Sequence, residues 1–198
     1  MTSNISPETS GKRKRKRLAL AVSAIAIGIF ISLGSCATTV ENRNPIGEVF
    51  PMVEGTSLEG ESVSLPLGEP SVLLVGYVQD AQFDADRWLV GLMQATPPVR
   101  ILEVPAVAGL FPRLIEDVID GGMRNGIPSE DWQSVVTCYG EGADQILQFT
   151  GNEKPRNMRV FLLDGKGKVL WFHDRGFSAS RLLDLNRAAE AAGGSDGN

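Results

Sequence analysis

Arg159-Val-Phe-Leu-Leu-Asp-Gly-Lys-Gly-Lys-Val-Leu-Trp-Phe-His-Asp-Arg-Gly-Phe-Ser-Ala-Ser-Arg-Leu-Leu-Asp-Leu185 is the stretch that decides the fold. Residues 159–163 are an apolar, β-favouring run, Asp164-Gly165-Lys166-Gly167 supplies turn chemistry, and residues 169–172 return as an antiparallel partner. Ser178 then stands where a helix N-cap is expected, and residues 179–187 continue as a helix with Leu182, Leu183 and Leu185 available for burial. A hairpin followed by a helix therefore closes the chain. Trp171 and Phe172 alternate across the second strand, so one faces one side of the sheet and one the other.

Working outward, residues 72–78 read VLLVGYV, almost free of polar side chains, as a buried central strand should. Residues 80–86 break that run. From Phe83 a helix follows, with apolar positions at three and four spacing, stopped by Pro97 and Pro98. Residues 99–104 form the next strand. Leu114, Ile115, Val118, Ile119 and Met123 mark one face of a second helix between Pro112 and Asn125, ended by Gly126 and Pro128. Residues 62–65 make a short strand near the start. Strands alternating with helices in this way predict an α/β fold with a central mixed sheet.

The first 35 residues follow different rules. Lys12 to Arg17 are six consecutive cations, and residues 18–33 are uncharged and apolar. Sixteen residues are short for a span, which needs about 20; a basic run ahead of a short apolar core is the pattern of an export signal. The core ends in Leu33-Gly34-Ser35-Cys36, which resembles the bacterial lipobox, whose cysteine thiol receives a diacylglyceryl group before cleavage just ahead of it. That resemblance implies lipid on Cys36 and a domain held on a membrane, facing periplasm or exterior, since two or more acyl chains anchor stably. Ala37, rather than aspartate, follows the cysteine, and the outer membrane is one destination this leaves open.

The expected organisation is a signal peptide over 1–35, a lipidated tether over 36–45, a domain over 46–187, and a glycine-rich disordered tail over 188–198. Removing the leader, with its six cations and single acid, takes the formal net charge from −5 to −10 over 163 residues, enough for one self-sufficient core. A chain this acidic lacks the basic footprint of a nucleic-acid binder. Only two cysteines are present. With lipid on Cys36, Cys138 is left without a partner, and dithiol exchange requires two thiols.

Two further segments join the closing one in a resemblance to a known family. FPMVEGTSLEGESVSLP (residues 50–66) is similar to the opening of thioredoxin-like domains of the peroxiredoxin kind, and the closing hairpin and helix are similar to their ending. Adding MRNGIPSEDW (residues 123–132), the chain resembles the mitochondrial assembly-factor family that helps build the membrane sector of F-type ATP synthase, thioredoxin-like proteins without the redox cysteine pair. The resemblance implies a three-layer thioredoxin-like fold and an assembly or quality-control role toward a protein partner.

In that fold the nucleophilic cysteine lies after the central strand at the first helix's N-terminus, where backbone N–H groups lower its pKa. Here the loop reads Gln79-Asp80-Ala81-Gln82-Phe83-Asp84-Ala85-Asp86, without sulfur. Its aspartates suit a helix N-terminus better than a cation site, so no metal and no cofactor is expected. The fold's usual cis-proline before the third strand is replaced by Asn157-Met158-Arg159. Cys138, in SVVTCYG, reads as a small buried hydrophobe; the alternative is a thiol-dependent redox protein using it. His173 reads as a histidine at a strand edge or turn. The residues expected to meet a protein partner are Asp80, Gln82, Asp84, Arg87, Trp171 and His173, and no catalytic residue is expected.

Overall fold

The computed structural model describes residues 39–109 and 113–194, with the backbone alone for 113–115. Residues 1–38, Cys36 and the expected signal peptide among them, and residues 110–112 and 195–198 lie outside the described residues. Among those described, no helix is long and apolar enough to cross a membrane.

Strands β1 (Val53–Ser57) and β2 (Ser62–Leu65) form an opening antiparallel hairpin. Next come β3 (Ser71–Gly76), α1 (Gln82–Ala95), β4 (Arg100–Val107), α2 (Arg113–Gly126) and β5 (Val136–Tyr139). The chain closes with α3 (Gly140–Thr150), β6 (Arg159–Leu163), β7 (Val169–His173) and α4 (Ala179–Gly193). The strands build one seven-stranded sheet in the order β2-β1-β5-β4-β3-β6-β7. β3, β4 and β5 run parallel; β6 is antiparallel to β3 at one side, with β7 antiparallel to β6 in turn, and β1 is antiparallel to β5 at the other. This is the mixed sheet with a terminal hairpin and helix that the sequence predicts.

Strand alternation divides the core into two layers. Leu73, Val75, Leu102, Val104, Val136, Cys138, Phe161 and Leu163 point to one face, where Phe50, Ala143 and Ile146 of α3 cover them. Val72, Leu74, Val160 and Leu162 point to the other, against Trp88 and Leu92 of α1 and Leu185 and Ala189 of α4. Trp88 is wholly buried, and removing such a ring from water is worth roughly 3 kcal/mol. Trp171 packs into the α1 layer and Phe172 against the α3 layer, as strand alternation predicts.

Two glycines permit close approaches. A Cβ on Gly55 would stand 2.6 Å from Val136 Cγ1, so a side chain there would push β1 off β5; one on Gly91 would stand 2.4 Å from Leu182, where α1 meets α4. Helix α1 ends at Thr96, whose positive φ of 46° and N–H bond to Leu92 O turn the chain ahead of Pro97.

Several boundaries differ from the sequence reading. Residues 40–43, expected in the tether, are fastened to the domain: Val40 N–H donates to Asn152 Oδ1 at 2.8 Å, and Asn152 N–H to Val40 O at 2.9 Å. Helix α4 continues past Arg187 to Gly193, because Ala189 and Ala192 are small enough to pack against the sheet. Ser178 holds the N-cap position, but its hydroxyl pairs with Ser180 rather than a backbone amide. Of the three leucines expected inside, Leu183 is 63% exposed. Helix α3 is not announced by the sequence, because GEGADQILQFT carries two glycines in its first three residues and mixes charge into a short apolar repeat.

Candidate functional site

β3 delivers the chain to α1 through a 3-10 turn, Gln79–Ala81, whose buried Ala81 faces the α1 layer. The turn makes the start of α1 protrude beyond the sheet, with Asp80, Gln82, Phe83 and Arg87 exposed on it. Asp84 behaves differently. It is 7% exposed, and its carboxylate accepts from Met158 N–H at 2.9 Å and Phe177 N–H at 2.7 Å. One side chain thus ties α1 to the start of β6 and to the loop before α4. The expectation that Asp84 meets a partner is corrected: both oxygens are engaged inside the protein, and bonds from N–H groups to a charged acceptor contribute roughly 1.5–3 kcal/mol each.

Met158 stands in the Asn157-Met158-Arg159 segment that replaces the fold's usual proline. Proline has no N–H to give; methionine does, and Asp84 takes it. Asn157 Nδ2 donates to Asp174 O at 3.1 Å, adding a second tie between this loop and the end of β7.

Behind the loop lies Arg159, fully buried on the α3 side. Its guanidinium donates to Lys154 O at 2.8 Å, Asn157 O at 2.7 Å and Asn42 Oδ1 at 3.2 Å, and it lies 5.1 Å from the centre of the Tyr77 ring. Burial lowers its pKa, offset by Tyr77 and Asp174. Burial also pushes the Tyr77 hydroxyl up to about 12, against the hydrogen bond from Thr150 and the charge of Arg159. Asn42 completes the cage: its Nδ2 donates to Asp174 Oδ2 at 3.0 Å, and its Oδ1 accepts from Glu153 N–H at 3.0 Å. A buried cation needs such acceptors, which is why the segment before residue 46 is fixed to the body.

The structure brings the residues singled out by sequence to one end of the molecule without making them one surface. Asp80 pairs with Arg156 at 3.1 Å in the open, and Gln82 Nε2 donates to Asp86 Oδ1 at 3.1 Å. The three loop aspartates therefore have three different partners and share no cation. Trp171 and His173 are half-buried in an aromatic cluster with Trp88 and Phe177, ring centres 5.3–6.2 Å apart. His173 Nε2 bonds to Gly176 O at 2.9 Å, bracing the turn that presents Phe177 N–H to Asp84. These two side chains act first as packing.

Cys138 lies on β5 in the α3 layer, across the sheet from α1. It is fully buried, and burial, with Glu54 adding to it, pushes the thiol up to about 12. Cys36 lies outside the described residues.

Sequence reasoning missed four positions in and behind the site. Phe83 is 75% exposed, although its place in the apolar repeat of α1 suggests burial. Asn42 and Arg159 gave no signal, one a polar residue in a polar stretch, the other a cation opening an apolar strand. Glu103 is the fourth. It sits in β4 opposite Leu74, and burial drives its carboxyl up to about 7, with Asp86 raising it further and a Gln82 hydrogen bond opposing. An acid between Leu102 and Val104 fits the ordinary alternation of a strand, so nothing local marks Glu103 as shielded.

No family model matches this sequence, and no curated protein sequence matches it. Solved structures do. One is BsSco, a member of the Sco family of cytochrome c oxidase assembly proteins, at 15% identity and a TM-score of 0.52, covering 77% of this chain and 98% of that one. Another is a SCO1/SenC family lipoprotein from Bacillus anthracis str. Ames, at 13% identity and a TM-score of 0.51, covering 77% and 99%. At such identities the likeness concerns the fold, which is thioredoxin-like.

Proposed function

We propose that this chain is a membrane-anchored, noncatalytic thioredoxin-like lipoprotein that binds protein and aids assembly or quality control of an envelope complex. The observation that carries it is the start of α1. Where this fold places a nucleophile there is no sulfur, and the nearest buried acid is committed to two backbone amides. Cys138, the other thiol, faces the opposite layer and is held protonated by burial. What remains open at this end is a surface: Asp80, Gln82, Phe83 and Arg87. The resemblance to an assembly-factor family supports the same reading, as does a structural neighbour whose own family is described as assembling cytochrome c oxidase.

Crosslinking in intact cells tests it. A specific partner captured by the native chain and lost on changing Asp80, Gln82 and Arg87 to alanine is the expected result. Turnover of peroxide or disulfide by the purified protein, abolished by Cys138→Ser, would replace this reading with the single-thiol one.

A further inference from the structure

We propose that the open end of the domain, around the start of α1, lies against the lipid surface, with Phe83 seated at the boundary of headgroups and acyl chains. The inference rests on the reading of Cys36 as the lipid anchor, and it makes the partner that meets Asp80, Gln82 and Arg87 a protein embedded in the same bilayer. Val40 is fixed by its two hydrogen bonds to Asn152, only four residues after Cys36. Four extended residues reach about 14 Å. A domain of this size is roughly 35–40 Å across, so only the surface near Val40 comes within reach of the bilayer.

That surface is the candidate site. From Val40 a chain of direct bonds runs through Asn152 and Glu153 to Asn42, from Asn42 to Asp174, from Asp174 to Asn157, and through the adjoining Met158 to Asp84 in α1. The end so placed carries apolar side chains that the fold leaves uncovered, Phe83 at 75% and Val78 at 43% exposure. Exposed Lys154, Arg87 and Arg175 lie on the same loops and first helical turns. Arg156, also exposed, is balanced by Asp80. Asp86 and Glu153 are exposed there too; an exposed aromatic ring with lysine and arginine on the neighbouring segments matches the interface, where apolar groups enter the acyl boundary and basic groups meet lipid phosphates. A bilayer is the occupant that the short tether itself supplies.

Helix α1 provides an internal ruler. Met93 is also exposed, at 73%, but lies ten residues further along, about 15 Å by helical rise. The full chain, purified with its lipid and reconstituted in vesicles of phosphatidylethanolamine and phosphatidylglycerol, is labelled with bimane at Phe83→Cys or Met93→Cys. Buried Cys138 stays unlabelled. Spin-labelled lipid is expected to quench the label at 83 at least twofold more than at 93. Equal quenching would mean that the helix lies flat, and no quenching at either site would mean that the domain stands off; each overturns the proposal. Mass spectrometry of the same sample separates the premises. A chain without lipid on Cys36 removes the anchor and the inference together, whereas a lipidated chain with unquenched Phe83 overturns the orientation alone.

Discussion

Asp84 in the first turn of α1 and Glu103 in the middle of β4 are both acids shielded on the α1 side of the sheet, yet they meet opposite surroundings. Asp84 receives two backbone N–H groups, from Met158 and Phe177. Glu103 has an amide side chain, Gln82, and a second acid, Asp86, and it is held toward its protonated form. Depth alone does not decide how a carboxylate fares. Donors do, and they come from wherever the backbone has amides left over: the irregular loops at the end of the sheet have them, and the paired middle of a strand does not. The same rule explains why the polar network gathers at the open end of the fold.

Removing Asp84 is the strongest way to break this comparison. Asp84→Ala strands two amides, one of them buried, and is expected to cost about 3 kcal/mol in urea unfolding. Asp84→Asn keeps one acceptor oxygen and should recover about half. A loss below about 1 kcal/mol for the alanine variant would show that water replaces the carboxylate, and that Asp84 is no lock.

Glu103 sharpens it from the other side through pH. Its folded pKa of about 7 stands above the ordinary 4.5, so the folded state holds the proton more tightly than the unfolded chain. The favourable contribution is therefore present below about 4.5 and lost as pH rises through 7. Glu103→Gln keeps the shape and discards the charge. It should flatten this slope and stabilise the protein at pH 8 by about 2 kcal/mol, less than the full shift implies because Asp86 and Gln82 lie on a helix face open to solvent. An unchanged slope would place the titration elsewhere.

The strands that carry most of the fold were legible because alternation and apolar runs are local: residues 72–78 and 159–172 announce β3, β6 and β7 almost to the residue. Helix α3 was hidden by its glycines, and the end of α4 by alanines that look like a tail until a sheet is placed beneath them. The site was half-legible for the same reason. Absence of sulfur after β3 can be read directly. That Asp84 turns inward while Asp80 stays out depends on Met158 and Phe177, 74 and 93 residues away in sequence. Asn42 reaching Arg159 across 117 residues is equally invisible to any local pattern.

The exposed pair at the same end gives the smallest effect and the cleanest use of the comparison. Arg156 and Asp80 approach to 3.1 Å with 78% and 57% of their side chains exposed, where water screens the attraction and two long side chains lose freedom to meet. Asp80→Asn or Arg156→Gln should change unfolding stability by less than about 0.5 kcal/mol, a shift that 0.5 M salt erases. Each variant is therefore a probe of recognition free of folding losses, which Asp84→Ala is not. Loss of a crosslinked partner in Asp80→Asn at unchanged stability would assign the surface to binding. A stability loss above about 1 kcal/mol would instead make the pair a clasp on residues 154–157, extending the Asp84 lock outward.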